Sequence, residues 1–108
     1  MNKNLKRKWL RALRSGRYKQ GKYYLRTDDN TYCCLGVLAD CIDNKCWSIA
    51  DHKGHYAYKD KHGSISNRIL SSKIQNELID LNDGKCNSFT EIADYIKKNI
   101  RETEPKAK

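Results

Sequence analysis

YCCLGVLADC, residues 32–41, is the most apolar run in this chain of 108 residues. Within and just after it, apolar side chains recur at i, i+3, i+4 and i+7, the spacing of one face of an α-helix. These side chains are Leu35, Leu38, Ala39 and Ile42. The pattern predicts a hydrophobic helix over residues 34–42, which we call the hub helix. We expect the rest of a single domain to pack around it.

The positive charge of the chain is concentrated in its first quarter. The net charge is +9, from 22 Lys and Arg against 13 Asp and Glu. Residues 1–26 hold ten of the basic side chains and no acidic one, whereas the twelve basic and thirteen acidic side chains of residues 27–108 nearly cancel. This asymmetry indicates an anionic partner.

Ten residues of this basic quarter form the candidate ligand-binding set. Three arginines recur at i, i+4 and i+7 on one face of the first predicted helix, and residues 17–26 (RYKQGKYYLR) interleave cations with tyrosines. That composition is typical of surfaces that hold phosphates and stack bases. The alternatives are a solvated helix face and a strand whose tyrosines pack on a sheet. The set is Arg7, Arg11, Arg14, Arg17, Lys19, Lys22, Arg26, Tyr18, Tyr23 and Tyr24.

The segments on either side of the hub helix predict a helix and a small antiparallel sheet. The apolar stripe of residues 4–15 is helical and is followed by Gly16. The turn residues 27–30 predict a hairpin between residues 23–26 and 31–33. Two further short strands are predicted over residues 47–50 and 56–59.

Two capping-box patterns predict a C-terminal αα-hairpin. Ser72-Lys-Ile-Gln75 opens one helix and Ser88-Phe-Thr-Glu91 opens the last one. The chain is therefore predicted to be one α+β domain over residues 1–102, with a frayed, charged tail over residues 103–108. Its predicted core consists of Trp9, Leu13, Leu35, Leu38, Trp47, Leu78, Phe89, Ile92 and Ile96.

The five cysteines do not predict chemistry. With no apolar leader and no run long enough to span a membrane, a soluble intracellular protein with reduced thiols is the simplest interpretation. Cys33 or Cys34 could serve as a nucleophile with a remote His and Asp, but buried thiols are favoured, so we predict no enzyme, no catalytic residue and no cofactor. Four possible metal ligands follow the hub helix but lack the arm spacing of a zinc site, so no metal is predicted. They are Cys46, His52, His55 and His62.

Three segments together resemble a family of small proteins encoded by tailed bacteriophages and prophages. They are WLRALRSGRYKQG (residues 9–21), YCCLGVLAD (residues 32–40) and LND…SFTEIADYI (residues 81–96). The resemblance implies a phage origin and a place in the infected cell, and it implies no catalytic residues. Residues 46–71 lie outside it, and their role is not predicted.

Three functions suit the basic quarter and this context. The first is a non-enzymatic protein that binds an anionic nucleotide-type ligand, as a counter-defence factor that sequesters a signal or as a host-takeover factor. The second is a nucleic-acid-binding accessory protein, and the third is an inhibitor that binds an acidic surface of a host protein. A homo-oligomer is compatible with each of them.

Overall fold

The computed structural model describes residues 1–27, 29–45, 47–49, 55–58 and 65–102. In chain order its elements are α1 (Lys3–Arg14), β1 (Lys19–Gln20), β2 (Arg26–Thr27), β3 (Thr31–Tyr32), α2 (Cys34–Ile42), β4 (Trp47–Ile49), β5 (His55–Tyr58), α3 (Ser72–Ile79), a π-helical turn (Asp80–Gly84) and α4 (Phe89–Asn99). The predicted α+β class is confirmed. The predicted tail, residues 103–108, lies outside the described residues.

The hub helix α2 has the predicted bounds. Cys33 is its N-cap, and the Cys33 Sγ accepts a hydrogen bond from the amide of Gly36 at 3.4 Å. Residues 34–39 are all buried, so the helix is enclosed on every side and not along a single stripe. Ile42, which belongs to the predicted stripe, is only half-buried.

Helix α1 packs against both α2 and α4. The Asn2 side chain caps its first turn by accepting from the amide of Leu5 at 3.0 Å. Trp9 is fully buried, and its indole Nε1 donates to the carbonyl of Cys34 at 3.0 Å. Lys6 is also buried, and its Nζ donates to the carbonyl of Ile100 at 2.6 Å, just past the end of α4. A cation at that position offsets the partial negative charge of the helix C-terminus.

The five strands form one sheet in the order β1-β3-β2-β5-β4. The predicted hairpin is present as β2 and β3, which pair antiparallel with Arg26 opposite Tyr32, but residues 23–25, predicted as strand, precede β2 and are not part of the sheet. The sheet is mixed, not wholly antiparallel, because β1 pairs parallel with β3. Strand β1 is only two residues long, so its sequence does not indicate which strand it will pair with. Its pairing depends on where the chain runs after α1.

The C-terminal αα-hairpin is present, and one of its two predicted caps is wrong. Ser88 and Glu91 form the capping box of α4, as predicted. At α3, however, the N-cap is Ser71, whose Oγ accepts from the amide of Ile74 at 3.4 Å. With Ser71 as the N-cap, the third helical residue is Ile74, whose side chain has no acceptor, so no capping box forms there.

The core matches the prediction at eight of nine positions, since Trp47 is only half-buried. Trp47 packs at the margin of the core and keeps its Nε1 available to Asp40. Ile65, Leu70 and Ile100 join the core without having been predicted.

Candidate functional site

A cleft of about 550 Å³ lies between α1 and the C-terminal end of α2. We call it the α1–α2 cleft. Its walls come from α1, from the segment that follows α1, and from the end of the hub helix. The lining residues are Lys8, Arg11, Ala12, Arg17, Tyr18, Asp40, Cys41, Ile42, Asp43 and Asn44.

Three cations of the basic quarter converge on this cleft. Lys8 and Arg11 are three residues apart on α1, so they project from the same side of the helix. Arg17 arrives from a different element, because Gly16 has a φ of 76° and turns the chain after α1. A residue with a side chain adopts that left-handed backbone at a cost, which glycine avoids. The local sequence therefore places Arg17 and Tyr18 opposite α1.

Asp40 fixes the aromatic wall of the cleft. Its Oδ2 accepts a short hydrogen bond from the Tyr18 hydroxyl, and its Oδ1 accepts from the Trp47 indole at 2.9 Å. Burial, and then the bond to Asp40, hold the pKa of the Tyr18 hydroxyl well above its usual value. The phenol thus stays neutral, and each carboxylate oxygen of Asp40 has a donor. This carboxylate positions the wall.

The opposite wall is the polar end of the hub helix. Asp43 is the C-cap of α2, and its Oδ1 accepts from the amide of Lys45 at 2.9 Å. Cys41 also lines the cleft; burial raises the pKa of its thiol, against the smaller opposing effect of Lys8. The cleft consequently carries a cationic side on α1 and an acceptor-bearing side at the end of α2.

A second group of predicted residues lies on the outer surface. Lys19, Lys22, Tyr23 and Tyr24 are all exposed, and we call them the outer strip. The exposed fractions of Tyr23 and Tyr24 are 75% and 45%. The Lys22 Nζ donates to the Cys86 Sγ at 2.6 Å, which is the main reason that the pKa of Lys22 is raised. Cys86 belongs to the connection between the π-helical turn and α4.

The remaining three predicted residues belong to neither group. Arg14 donates to the Asp94 carboxylate of α4 at 2.9 Å, in an exposed ion pair. Arg26 donates to Asn30 Oδ1 at 2.6 Å and lies over the rings of Tyr32 and Trp47, at 5.2 and 5.5 Å from their centroids. Arg7 is exposed on α1 and does not line the cleft.

Sequence reasoning missed Lys8, Asp40 and Asp43 as lining residues. The i, i+4, i+7 stripe selects Arg14, which turns toward α4, whereas the cleft lies on the flank that carries Lys8 and Arg11. The sequence does contain a signal for Lys8, because Lys8 and Arg11 form an i, i+3 pair of cations beside the apolar stripe of α1. No sequence signal points to Asp40, because its partners are fixed by tertiary packing.

The buried thiols at the start of the hub helix are poor nucleophiles. Burial raises the pKa of Cys33 to about 11 and raises the pKa of Cys34 well above its usual value. Because of these raised pKa values, both side chains are mainly protonated at neutral pH. The thiolate is the reactive form of cysteine, so both are poorly reactive. Their positions suit packing and capping.

The N-terminal two thirds of the chain match a known family. The model of the family described as Domain of unknown function (DUF8296) matches residues 1–70. The chain belongs to this family. The DUF8296 match contains every lining residue of the α1–α2 cleft and all of the outer strip, whereas α3 and α4 lie beyond it. No curated protein and no solved structure matches the chain.

Two searches of the described residues bear on membranes and metals. Within them, no helix has both the length and the apolarity needed to cross a membrane. The described part of the chain also holds no group of three or more His, Cys, Asp or Glu side chains that could bind a metal ion. Of the four possible ligands after the hub helix, Cys46, His52 and His62 lie outside the described residues, as does the side chain of His55.

Proposed function

We propose that this protein is a non-enzymatic binder of an anionic, nucleotide-type ligand, and that the α1–α2 cleft is its binding site. The observation that carries the proposal is the convergence of Lys8, Arg11 and Arg17 on one cleft. Ligand sites in proteins typically occupy about 300–1,000 Å³, and this cleft has about 550 Å³. Its size and charge suit one nucleotide.

The chemistry of the two walls supports a phosphorylated ligand. Arginine guanidinium groups bind phosphate through two parallel N–H donors, and Arg11 and Arg17 approach the cleft from different elements. Tyr18 supplies a ring beside them that is held in place by Asp40. Phosphate would lie against α1, and the sugar or base would lie toward Tyr18 and the end of α2.

The acidic groups in the cleft do not oppose this arrangement. Asp40 already accepts from Tyr18 and Trp47, one at each oxygen, so its acceptors are occupied by the aromatic wall. Asp43 lies at the far wall, where an acceptor can take a hydrogen bond from a sugar hydroxyl or a base amino group. A fully cationic pocket would suit a bare phosphate better than a nucleotide.

In the cell, we propose that binding removes a nucleotide from use. The resemblance to phage proteins supports a counter-defence factor that sequesters a nucleotide signal, or a host-takeover factor, in the host cytoplasm. Sequestration needs only affinity, which suits a cleft in which the pKa of the Cys41 thiol and that of the Tyr18 hydroxyl are both raised.

Native mass spectrometry of protein purified from bacterial cells tests this proposal first, followed by calorimetry with AMP, ATP and a cyclic dinucleotide. We expect at least one of them to bind with one molecule per cleft. Arg11→Ala should weaken that binding by about tenfold or more, because it removes hydrogen bonds to a charged group. Arg11→Lys should restore only part of it, since lysine cannot form the bidentate contact.

Arg14→Ala is the matched control. Arg14 has the same charge and lies on the same helix, but its guanidinium is paired with Asp94 outside the cleft. We expect nucleotide affinity to be unchanged in this variant. If no nucleotide binds at millimolar concentration, or if Arg14→Ala loses as much affinity as Arg11→Ala, the proposal is wrong.

A further inference from the structure

We infer that the outer strip is a second binding site, separate from the α1–α2 cleft, and that it binds single-stranded nucleic acid. The strip presents two neighbouring exposed tyrosine rings, which follow two exposed lysines in the sequence. Adjacent exposed apolar groups mark contact sites more often than scattered ones do, and these two rings are consecutive in the sequence. Tyr23 has an exposed fraction of 75%, the highest of any large hydrophobic side chain among the described residues.

The backbone of the strip carries strain where the exposed ring is. Among the described residues, Tyr23, Asn30 and Cys86 are the non-glycine residues with positive φ. Asparagine tolerates that conformation, but a bulky tyrosine does not adopt it without cost. Tyr23 and Cys86 lie on facing segments that the Lys22–Cys86 hydrogen bond connects. Strained residues persist where the surrounding structure holds them, and they concentrate at functional sites.

The two ends of the segment that carries the tyrosines are fixed to the core. Gly21 donates its amide to the carbonyl of Tyr32 at 2.8 Å and accepts at its own carbonyl from the buried Asn82 Nδ2 at 2.9 Å. The Leu25 carbonyl accepts from the amide of Cys33 at 3.3 Å and packs closely against Gly36. Residues 22–24 are thus held outward between fixed ends. Preorganisation of this kind lowers the entropy cost of binding.

The chemistry of the strip identifies its partner. Every base has a π-face that can stack on a tyrosine, and lysines contact phosphates without requiring a sequence. A duplex hides its base faces, so exposed rings favour a single strand. Residues 19–24 span at most about 20 Å when extended, which is enough for a few nucleotides. Asp83 is the carboxylate whose charge contributes to the raised pKa of Lys22. The Asp83 Oδ1 already accepts a hydrogen bond from the Asn82 Nδ2 at 2.7 Å.

The cleft does not explain these residues. None of the four strip residues lines it, although Arg17 and Tyr18 precede the strip directly in sequence. Tyr18 is half-buried, whereas the next residue, Lys19, is exposed to solvent. The strip can therefore bind its ligand while the cleft is empty or occupied.

Fluorescence anisotropy with labelled oligonucleotides tests the inference on the full chain. The probes are a 12-mer of dT, an abasic 12-mer with the same phosphates, and a 12-bp duplex. We expect the dT 12-mer to bind more tightly than either the duplex or the abasic strand. Tyr23→Ala with Tyr24→Ala should weaken dT binding by about tenfold or more and leave binding of the abasic strand unchanged. Tyr23→Phe should retain dT binding, because the ring is kept.

Lys19→Ala with Lys22→Ala should weaken all three probes and lower the slope of log affinity against log salt for the single strands by about 1.4. Lys73→Ala with Lys98→Ala is the matched control, since it removes two exposed lysines from α3 and α4 and should change nothing. Circular dichroism of each variant confirms that it is folded.

Several outcomes would overturn the inference. These are equal binding of duplex and single strand, no effect of the tyrosine substitutions, or tighter binding of an oligo-glutamate peptide than of dT, which would indicate an acidic protein partner. The result is independent of the proposed function: nucleotide binding by Tyr23→Ala with Tyr24→Ala should equal that of the unmodified protein, so either site can fail alone.

Discussion

The α1–α2 cleft and the outer strip are made from the same residue types, yet the fold presents them in opposite ways. In the cleft, Tyr18 is half-buried and its hydroxyl is bonded to Asp40, with Arg11 and Arg17 around it. In the strip, Tyr23 and Tyr24 expose their rings to water beside lysines. Judged by residue composition alone, the cleft and the strip are both tyrosines beside cations and cannot be told apart. Burial encloses the tyrosine of the cleft and leaves the tyrosines of the strip open to solvent.

The difference depends on where each segment meets the hub helix. The cleft forms at the C-terminal end of α2, around Asp40 and Asp43, whereas the strip is held near its N-terminal end through Leu25, Cys33 and Gly36. A helix of nine residues separates the two regions by roughly 13 Å. Substitutions along α2 should therefore affect the two regions unequally.

The largest effect is expected from Gly36→Ala. A Cβ on Gly36 would lie 1.8 Å from the carbonyl oxygen of Leu25 and 2.7 Å from its carbon, so backbone atoms would have to move. We expect the free energy of unfolding to fall by about 3 kcal/mol, the upper part of the range for overpacking a core. Urea denaturation measures this change. In whatever fraction stays folded, oligonucleotide binding should weaken more than nucleotide binding.

Gly16→Ala is the matched control for that comparison. Nothing lies within 4 Å of a Cβ at Gly16, but its φ of 76° is unfavourable for alanine. The expected cost is about 1 kcal/mol. Because Gly16 directs Arg17 into the cleft, this variant should weaken nucleotide binding and spare the strip. Equal effects of both glycine variants on both ligands would show that the two regions are not separate.

A smaller effect is expected when each strip tyrosine is replaced by glycine. Tyr23 has a φ of 72°, so Tyr23→Gly relieves a conformation that costs about 1 kcal/mol and should be at least as stable as the unmodified protein. Tyr24 is not among the residues with positive φ, so Tyr24→Gly should lose about 0.5–1 kcal/mol through added chain entropy. Thermal unfolding distinguishes the two. A destabilised Tyr23→Gly would show that the ring supports the fold and not a ligand.

The smallest effect is expected from the pH dependence of the cleft. The folded-state pKa of Tyr18 lies above its ordinary value of about 10. Above pH 10 the unfolded chain therefore releases a proton that the folded chain retains, and this contribution to stability is lost as pH rises. Denaturation midpoints between pH 8 and pH 11 should fall less steeply for Tyr18→Phe than for the unmodified protein. An identical slope would contradict the burial of this hydroxyl.

Local patterns determined the elements of this fold. The apolar run predicts α2 at its observed bounds, and the Ser88–Glu91 box predicts the start of α4, because helix periodicity and capping involve residues within a few positions of each other. The same locality explains the error at α3. Ser71 and Ser72 are both good caps, and the local sequence does not separate them; in the structure Ser71 is the cap, and Gln75 bonds to the preceding segment at Ile65 and Leu70.

Long-range packing determined what the basic residues do. Arg14 meets Asp94 across 80 residues, Lys6 meets Ile100 across 94, and Arg11 remains at the cleft, although all three look alike in the sequence. Charge and composition identify a basic quarter but carry no distances. Which cation is paired, which caps a helix and which faces a cleft is fixed by the packing of α1 between α2 and α4, since Coulomb energies and hydrogen bonds depend on separation in space.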